Sequence, residues 1–209
     1  MNDDFDYLAA FEPIRQLVPR DEPVAQKMRT LIAACEADYP HADWAAFSEL
    51  PFDQELPKLT SWLRNKFDGR TPEKPLRALW FGLFNPVDAD HGVVADFDMC
   101  GSSSYDPKDE TFVWAADPDY VPEGSRACSE VLARLYTHAY RADESLGNIA
   151  EYPLALGYTA FAIADVFKGS NAFPGGVEAV AIAVGFNSGD GLVIGRLMPH
   201  GFVPVNNAA

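Results

Sequence analysis

Residues 76–116 read LRALWFGLFNPVDADHGVVADFDMCGSSSYDPKDETFVWAA, in which three apolar runs alternate with acidic, turn-rich segments. The first run, residues 76–84, is apolar on both faces apart from Arg77, which is typical of a central strand. Residues 93–100 alternate apolar and polar side chains, which predicts a strand with one face toward the core. Residues 111–115 are predicted as a third strand. The stretch therefore predicts a three-stranded meander at the centre of the fold.

Helices are predicted on both sides of this meander. Before it, apolar residues at three-to-four spacing favour helices over residues 4–18, 24–39 and 53–67, with a short one at 41–50. Asp53 is the expected N-cap of the third of these. After it, Ser125 is expected to cap a helix that runs to about Arg141, and a further helix ends before Gly169 with Pro153 in its first turn.

The C-terminal part of the chain is predicted to form a hairpin. Strands at residues 177–186 and 192–197 flank a five-residue loop, and residues 202–205 are expected to add an edge strand. The predicted fold is α+β, an antiparallel sheet (central meander plus C-terminal hairpin) covered by an N-terminal helical region and two mid-chain helices. We expect one domain over residues 1–209, with a helical third at about 1–69 and a sheet-containing remainder at about 75–206, because amphipathic helices need a surface to cover.

Composition indicates a globular protein of a reducing compartment. Apolar residues make up 48% of the chain, yet no apolar run approaches the ~20 residues that span a membrane. The first residues carry acids where a secretory signal carries bases. Cys35, Cys100 and Cys128 are odd in number and far apart, which favours free thiols over a disulfide framework. We expect a cytoplasmic location.

Negative charge is the strongest global signal. The formal net charge is −15, and residues 81–123 hold ten acids against one base, Lys108. Such a field repels nucleic acid and anionic membranes and attracts a basic protein or a divalent cation. We therefore expect neither nucleic acid nor membrane as a partner. The alternative is that the charge serves solubility alone.

The acids of this region predict a docking surface. Asp96 and Asp98 are two residues apart on one predicted strand, so their side chains share a face. Tyr105 and Tyr120 lie in acidic loops and are expected to add hot-spot contacts, unless they are half-buried anchors of those loops. The predicted acidic surface comprises Asp88, Asp90, Asp96, Asp98, Tyr105, Asp106, Asp109, Glu110, Asp117, Asp119 and Tyr120.

A metal site is the first alternative for the same region. Asp88, Asp90 and His91 resemble the start of a calcium loop, but Gly92 and Met99 occupy positions where an EF-hand requires Asp or Asn and Glu. A looser magnesium or manganese site that includes the aspartates of the following strand stays open. No metal or cofactor is assigned on this basis.

Catalysis is the second alternative. Asp96 and Asp98 have the chemistry of a general acid/base pair. A nucleophile among Cys100 and residues 102–104 would need His91 or His138 as its base. No GxSxG motif is present, and the glycine pairs match neither a dinucleotide fingerprint nor a P-loop. A metal-dependent or thiol hydrolase that uses residues 88–104 remains the runner-up to a binding role.

In size, charge and predicted architecture the chain resembles small acidic bacterial α+β proteins, among them immunity proteins that neutralise basic nuclease toxins. The resemblance implies a non-enzymatic domain with an immunity-protein-like or inhibitor-like role toward a basic protein. A structural or oligomerising domain, with the C-terminal hairpin as a subunit interface, is a third interpretation. The sequence leaves the oligomeric state open.

Overall fold

The computed structural model describes residues 6, 9, 11–67, 72–84, 87–89, 92–108, 111–141, 145–169 and 179–205, with the backbone alone at 87–89. The helices are α1 (Phe11–Leu17), α2 (Val24–Asp38), α3 (Trp44–Ser48), α4 (Leu56–Phe67), α5 (Val113–Ala116), α6 (Glu130–Ala139) and α7 (Asn148–Lys168). The strands are β1 (Ala78–Leu83), β2 (Val87–Ala89), β3 (Gly92–Val94), β4 (Asp96–Ser102), β5 (Arg126–Cys128), β6 (Val180–Phe186), β7 (Gly191–Met198) and β8 (Gly201–Pro204).

Six strands form one sheet in the order β5-β4-β1-β6-β7-β8. Neighbouring strands are antiparallel except for β1 and β6, which are parallel. A parallel pair needs a long crossover connection, and here that connection contains α6 and α7. Strands β2 and β3 form a separate two-stranded ribbon. The fold is therefore α+β with a mostly antiparallel sheet.

The first strand of the predicted meander is confirmed as a central one. All six residues of β1 are buried, because β4 and β6 flank this strand and both of its faces are covered. Strands β1, β4 and β5 form an antiparallel three-stranded unit, but its third strand is not the one predicted at residues 111–115. The predicted strand at residues 111–115 is wrong, since Val113–Ala116 form the short helix α5. The third strand is β5, which lies where the sequence predicted the start of a helix.

Two predicted helix caps are also corrected. The helix expected from Ser125 begins after Ser129, whose Oγ accepts a hydrogen bond from the N–H of Leu132 at 3.0 Å. Asp53 was expected to cap its own helix. Its carboxylate instead accepts the N–H of Ala25 at 2.9 Å, in the first turn of α2. A cap supplied from a distant part of the chain leaves no local sequence signal.

Helix α7 lies at the centre of the main core. Its residues are buried on nearly every side, and α1, α2, α4 and α6 pack around it above the inner face of the sheet. Gly157 permits close approach of α2, because a Cβ at this position would lie 2.3 Å from Cδ2 of Leu31. Pro153 lies in the second turn of this helix, not the first. Across the described residues, no helix has both the length and the apolar content that crossing a bilayer requires.

The outer face of the sheet carries a second, smaller apolar cluster. Small residues on β1 and β6 leave room for aromatic rings, and Trp80 and Trp114 pack edge to face with centroids 6.1 Å apart. Phe112, at φ 55°, begins the turn that brings Trp114 over the sheet. Packing of these rings explains the failed strand prediction, because tertiary contacts override the local alternation.

Candidate acidic interface

The single strand predicted over residues 93–100 is divided between β3 and β4, and the predicted alternation of burial holds over residues 96–99. Phe97 and Met99 are buried in the main core, whereas Asp96 and Asp98 lie half-buried on the outer face. At about 3.3 Å per residue, the strand extends roughly 20 Å from Asp96 to Ser102. The two aspartates therefore lie at one end of β4, and the acids of the following loop lie beyond its other end.

Asp96 is paired with a thiol across the sheet. It lies opposite Cys128 of β5, and this exposed thiol is its hydrogen-bond donor. The hydrogen bond to Asp96 is the first cause that raises the pKa of Cys128, followed by burial and the charge of the carboxylate. The Oδ1 atom of Asp96 is buried and has no hydrogen-bond partner among the described residues.

Asp98 lies opposite Arg126 of β5 in the sheet register. The guanidinium carbon of Arg126 lies 4.5 Å from the ring centroid of Phe84, in a cation–π arrangement. Within the described part of the chain, no ion pair joins Asp98 to this or another base. The carboxylate of Asp98 is therefore partly open to solvent without a bound counter-charge from those residues.

Asp119 fixes the loop beyond the other end of β4. Its carboxylate accepts hydrogen bonds from the N–H and the Oγ of Ser103, at 2.7 and 2.6 Å, and from Nζ of Lys74 at 2.6 Å. The bonds from Lys74 and Ser103 hold the pKa of Asp119 well below its usual range. This acid therefore has a local structural role and a compensating cation.

Asp106 and Asp117 are exposed at this end of the strand. Asp106 accepts the N–H of Lys108 at 2.9 Å, a bond within its own turn. Asp117 follows α5 directly, so the packing of Trp114 on the sheet fixes its place beside the outer face. Both carboxylates remain available to a partner.

The two tyrosines anchor loops, which was the alternative to their expected hot-spot role. Tyr105 is only 6% exposed and packs edge to face on Trp114, with centroids 5.4 Å apart. Burial raises the pKa of Tyr105. Tyr120 is half-buried, pairs its backbone with Gly101, and donates its hydroxyl to the carbonyl of Lys66 at 3.0 Å. Neither ring is presented as a free surface contact.

Several predicted residues lie outside the described part of the chain. These are Asp90, His91, Asp109, Glu110 and the side chain of Asp88, whose backbone belongs to β2. We therefore define the acidic face by Asp96, Asp98, Asp106, Asp117 and Asp119. Among the described residues, no group of three or more His, Cys, Asp or Glu side chains is placed to hold a metal ion. The turn proposed for the looser metal site lies outside those residues.

Cys100 and Ser102 are buried, Ser103 is half-buried and Ser104 is exposed, and each of these three serine hydroxyl groups is already hydrogen-bonded. Cys100 Sγ lies 3.8 Å from the carbonyl oxygen of Ala115, and burial raises the pKa of this thiol to about 12. The Oγ atoms of Ser102 and Ser104 share a hydrogen bond of 2.8 Å. His138, a predicted base, packs against Phe47 in the helical layer. Burial therefore favours the protonated thiol of Cys100. The other predicted base, His91, lies outside the described residues.

Among the described residues, Glu55 and Lys27 are two of three buried charged side chains for which the sequence analysis had no prediction; the third is Asp43. Glu55, 7% exposed, accepts hydrogen bonds from Ser129 Oγ, Tyr158 Oη and the N–H of Glu130, at 2.5, 2.6 and 3.0 Å. Lys27, 3% exposed, donates to the carbonyl of Val18 at 3.2 Å. Both join helices of the core. The partners of Glu55 lie 74 to 103 residues away, and Val18 lies nine residues from Lys27 beyond the end of α1. Periodicity within one helix therefore contains no signal for these contacts.

Comparison of the chain with protein-family models, with curated proteins and with solved structures found no match. On the surface of the described residues, the acidic face is where the excess of negative charge and the strand geometry coincide.

Proposed function

We propose that the protein is a non-enzymatic binding domain that docks a basic protein partner through its acidic face, in an inhibitor-like or immunity-protein-like role. The observation that carries the proposal is the placement of Asp96 and Asp98 side by side on the outer face of a central sheet strand. No ion pair compensates either carboxylate within the described residues.

Charge density supports this interpretation. Ten acids and a single base lie in residues 81–123. Surface carboxylates of one sign raise the association rate of an oppositely charged partner, and the effect falls as salt increases. Charges held by a rigid strand also cost less conformational entropy on binding than charges on free loops. The Asp119 bonds to Ser103 and Lys74 extend that order beyond the strand.

Apolar contacts for such a partner are present beside the acids. Val94, Val113 and Val121 are among the most exposed large apolar residues, at 41%, 66% and 59%. Val113 lies in α5 next to Trp114 of the outer-face cluster, Val121 follows the bridge between Tyr120 and Gly101, and Val94 lies in β3 just before β4. A standard interface buries about 800 Å² on each partner, which a strand of roughly 20 Å with its adjoining loops can supply. Valines among carboxylates replace the tyrosines as the expected anchors.

Charge reversal tests the acidic face directly. The variant Asp106→Lys with Asp117→Lys changes exposed residues beside the outer face. The matched control, Glu36→Lys with Asp38→Lys on α2, makes the same change in net charge on the helical side. For a basic partner isolated by affinity capture, we expect association at low salt to slow by about tenfold or more in the first variant only. Equal effects of the two variants would contradict the proposal.

A defined probe locates the site before any partner is known. We expect an oligolysine peptide at low salt to shift the backbone amide NMR signals of β4 and α5 before those of α2. Oligoglutamate at the same concentration is the control and is expected to leave these signals unchanged. Peptide-induced shifts centred on α2 would place the docking surface elsewhere.

A further inference from the structure

Arg126 lies directly across the sheet from an acid with which it forms no ion pair. It is opposite Asp98 in the register of β4 and β5. Opposite residues of antiparallel strands point to the same face, with Cβ atoms about 5 Å apart, and such a pair of opposite charges is favourable. An arginine side chain easily spans that distance. Both residues lie in the described part of the chain, yet no ion pair joins them there.

An aromatic ring holds the guanidinium group instead. The guanidinium carbon of Arg126 lies 4.5 Å from the ring centroid of Phe84, the residue that follows the end of β1. Strand β4 lies between β5 and β1 in the sheet. To reach the ring, the Arg126 side chain therefore crosses β4 on the face that also holds Asp98.

The other neighbours of Asp98 on this face supply no positive charge. On the β1 side it is opposite Gly82, which has no side chain. The space there is taken by Asn187, because a Cβ at Gly82 would lie 2.6 Å from Oδ1 of that residue. Along β4, the alternate residues on the same face are an acid and a thiol. Arg126 is therefore the base that the sheet register places beside Asp98.

We propose that Phe84 is a positioning residue of the acidic face, which holds Arg126 off Asp98 and so keeps this carboxylate open to a basic partner. Release of Arg126 from the ring masks the carboxylate. The inference rests on the proposed function and gives it a means of regulation. A cation–π contact and an exposed ion pair are of comparable strength. The two positions of Arg126 are therefore close in free energy, and loss of the ring shifts the population toward Asp98.

Partner binding and the position of Arg126 are coupled in this arrangement. Arg126 and a basic group of the partner compete for the same carboxylate. Because coupling is reciprocal, a partner bound at Asp98 favours Arg126 on Phe84, and Arg126 on Phe84 raises the affinity for the partner. The net charge of the protein is identical in the two positions. A charge-neutral substitution of the ring therefore separates this effect from the general attraction of an acidic surface.

The first test locates Arg126 in Phe84→Leu. The matched control is Phe202→Leu, which removes another half-buried ring, stacked on Phe167. We expect nuclear Overhauser contacts between Arg126 and the Phe84 ring in the wild type. In Phe84→Leu, and not in the control, exchange of the Arg126 Hε proton with solvent should slow as it pairs with Asp98. Exchange as fast as in the double variant Phe84→Leu with Asp98→Asn would overturn the proposal.

The second test measures binding of an oligolysine peptide at low salt by isothermal titration. We expect Phe84→Leu to weaken the affinity by about threefold, as for one exposed ion pair, and Phe202→Leu to leave it unchanged. In an Arg126→Met background, Phe84→Leu should have no effect on the affinity. An equal loss in both backgrounds would mean that the ring contacts the peptide itself, which would overturn the role assigned to Arg126.

These measurements separate the inference from the proposed function. Oligolysine that leaves the β4 amide signals of the wild type unchanged would contradict the proposed function. The exchange rate of the Arg126 Hε proton would still decide whether Phe84 holds the guanidinium off Asp98. In the wild type alone, Overhauser contacts of Arg126 with Asp98 in place of Phe84 would overturn the inference even if Phe84→Leu failed to fold.

Discussion

The ammonium group of Lys58 donates a hydrogen bond to the backbone carbonyl of Cys128 across 3.2 Å. This bond joins α4 to β5, the strand at one edge of the six-stranded sheet. Residues four apart on a helix share a face. Trp62 and Lys66, four and eight residues after Lys58, donate to the turn that precedes β5. Trp62 Nε1 donates to the carbonyl of Gly124 at 3.1 Å, and Lys66 Nζ donates to the carbonyl of Glu123 at 2.9 Å. Side chains of α4 thereby attach β5 and the turn before it to the helical layer.

Removing the indole donor is expected to weaken this attachment. Trp62→Phe keeps an aromatic ring but loses the N–H that reaches the carbonyl of Gly124. We expect the free energy of unfolding to fall by about 1 kcal/mol, the usual net value of one hydrogen bond, and amide exchange in β5 to accelerate. Urea denaturation and hydrogen exchange measure the two effects. The exposed substitution Arg64→Met on α4 is the control, and an equal loss there would contradict a specific role for Trp62.

The opposite edge of the sheet is protected by proline. Strand β8 ends at Pro204, which has no N–H to offer a neighbouring strand, and Val203 beside it is 41% exposed. We expect Pro204→Val to promote concentration-dependent association, measured by sedimentation velocity. Adding Val203→Lys to that variant should restore the wild-type behaviour, because charge on an edge strand opposes pairing. If the double variant still associates, the association must use a surface other than the β8 edge.

The buried carboxyl group of Glu55 is expected to be a major determinant of stability. Three donors converge on it, from Ser129, Glu130 and Tyr158. Glu55→Gln replaces one acceptor oxygen with an NH₂ group that faces a donor, and we expect a loss of about 2 kcal/mol. Tyr158→Phe in the Glu55→Gln background should cost less than in the wild type, as shown by a double-mutant cycle. Additive losses would mean that the two side chains act independently.

Because of Lys27, the free energy of unfolding is expected to vary with pH in the alkaline range. Burial is the main cause that lowers the pKa of Lys27 from 10.5 to about 8. A base with a lowered pKa binds its proton less tightly when folded, so this group makes the protein more stable as the pH rises from about 8 toward 10.5. We expect Lys27→Met to abolish that rise and to stabilise the protein at pH 7 by roughly 1 kcal/mol. Chemical denaturation at several pH values measures the free energy of unfolding. The same pH profile in Lys27→Met as in the wild type would refute this role of Lys27.

The Asp96–Cys128 pair predicts slow thiol chemistry. Because the hydrogen bond to Asp96 raises the pKa of the exposed Cys128, we expect iodoacetamide to alkylate it slowly near pH 8. Asp96→Asn should accelerate the reaction several-fold by removing the negative charge. Mass spectrometry identifies the labelled residue, and Cys35 and Cys100 serve as internal controls because burial raises the pKa of each thiol to about 12. A slower reaction in Asp96→Asn would contradict this account.

The parts of the fold that were predicted correctly have signals within a few neighbouring residues. The continuous apolar run of β1 indicates a strand covered on both faces, and the alternation in β4 separates Phe97 from Asp96 and Asp98. The part that failed depended on distant contacts. Residues 111–115 have the composition of a strand, but the packing of Trp114 on Trp80 makes this segment a helical turn.

For the candidate acidic face as well, the sequence predicted some properties and the tertiary structure was needed for others. Net charge and the spacing of Asp96 and Asp98 come from the chain alone, because alternation on a strand is a local property. The sequence could not distinguish a carboxylate such as Asp119, compensated by Lys74, from one such as Asp98 that has no ion-pair partner among the described residues. It likewise could not show that Tyr105 is buried.

The amino-acid sequence by itself determined the excess of negative charge, its concentration in residues 81–123, and the identity of the central strand. Only the tertiary structure decided that β1 pairs in parallel with β6, that α4 bonds to β5 and the turn before it, and that Tyr140 contacts Glu151. The physical reason is range. Periodicity is a property of neighbouring residues, and net charge is a sum over the chain. Strand pairing, burial and proton affinity depend instead on groups that folding brings together from distant positions.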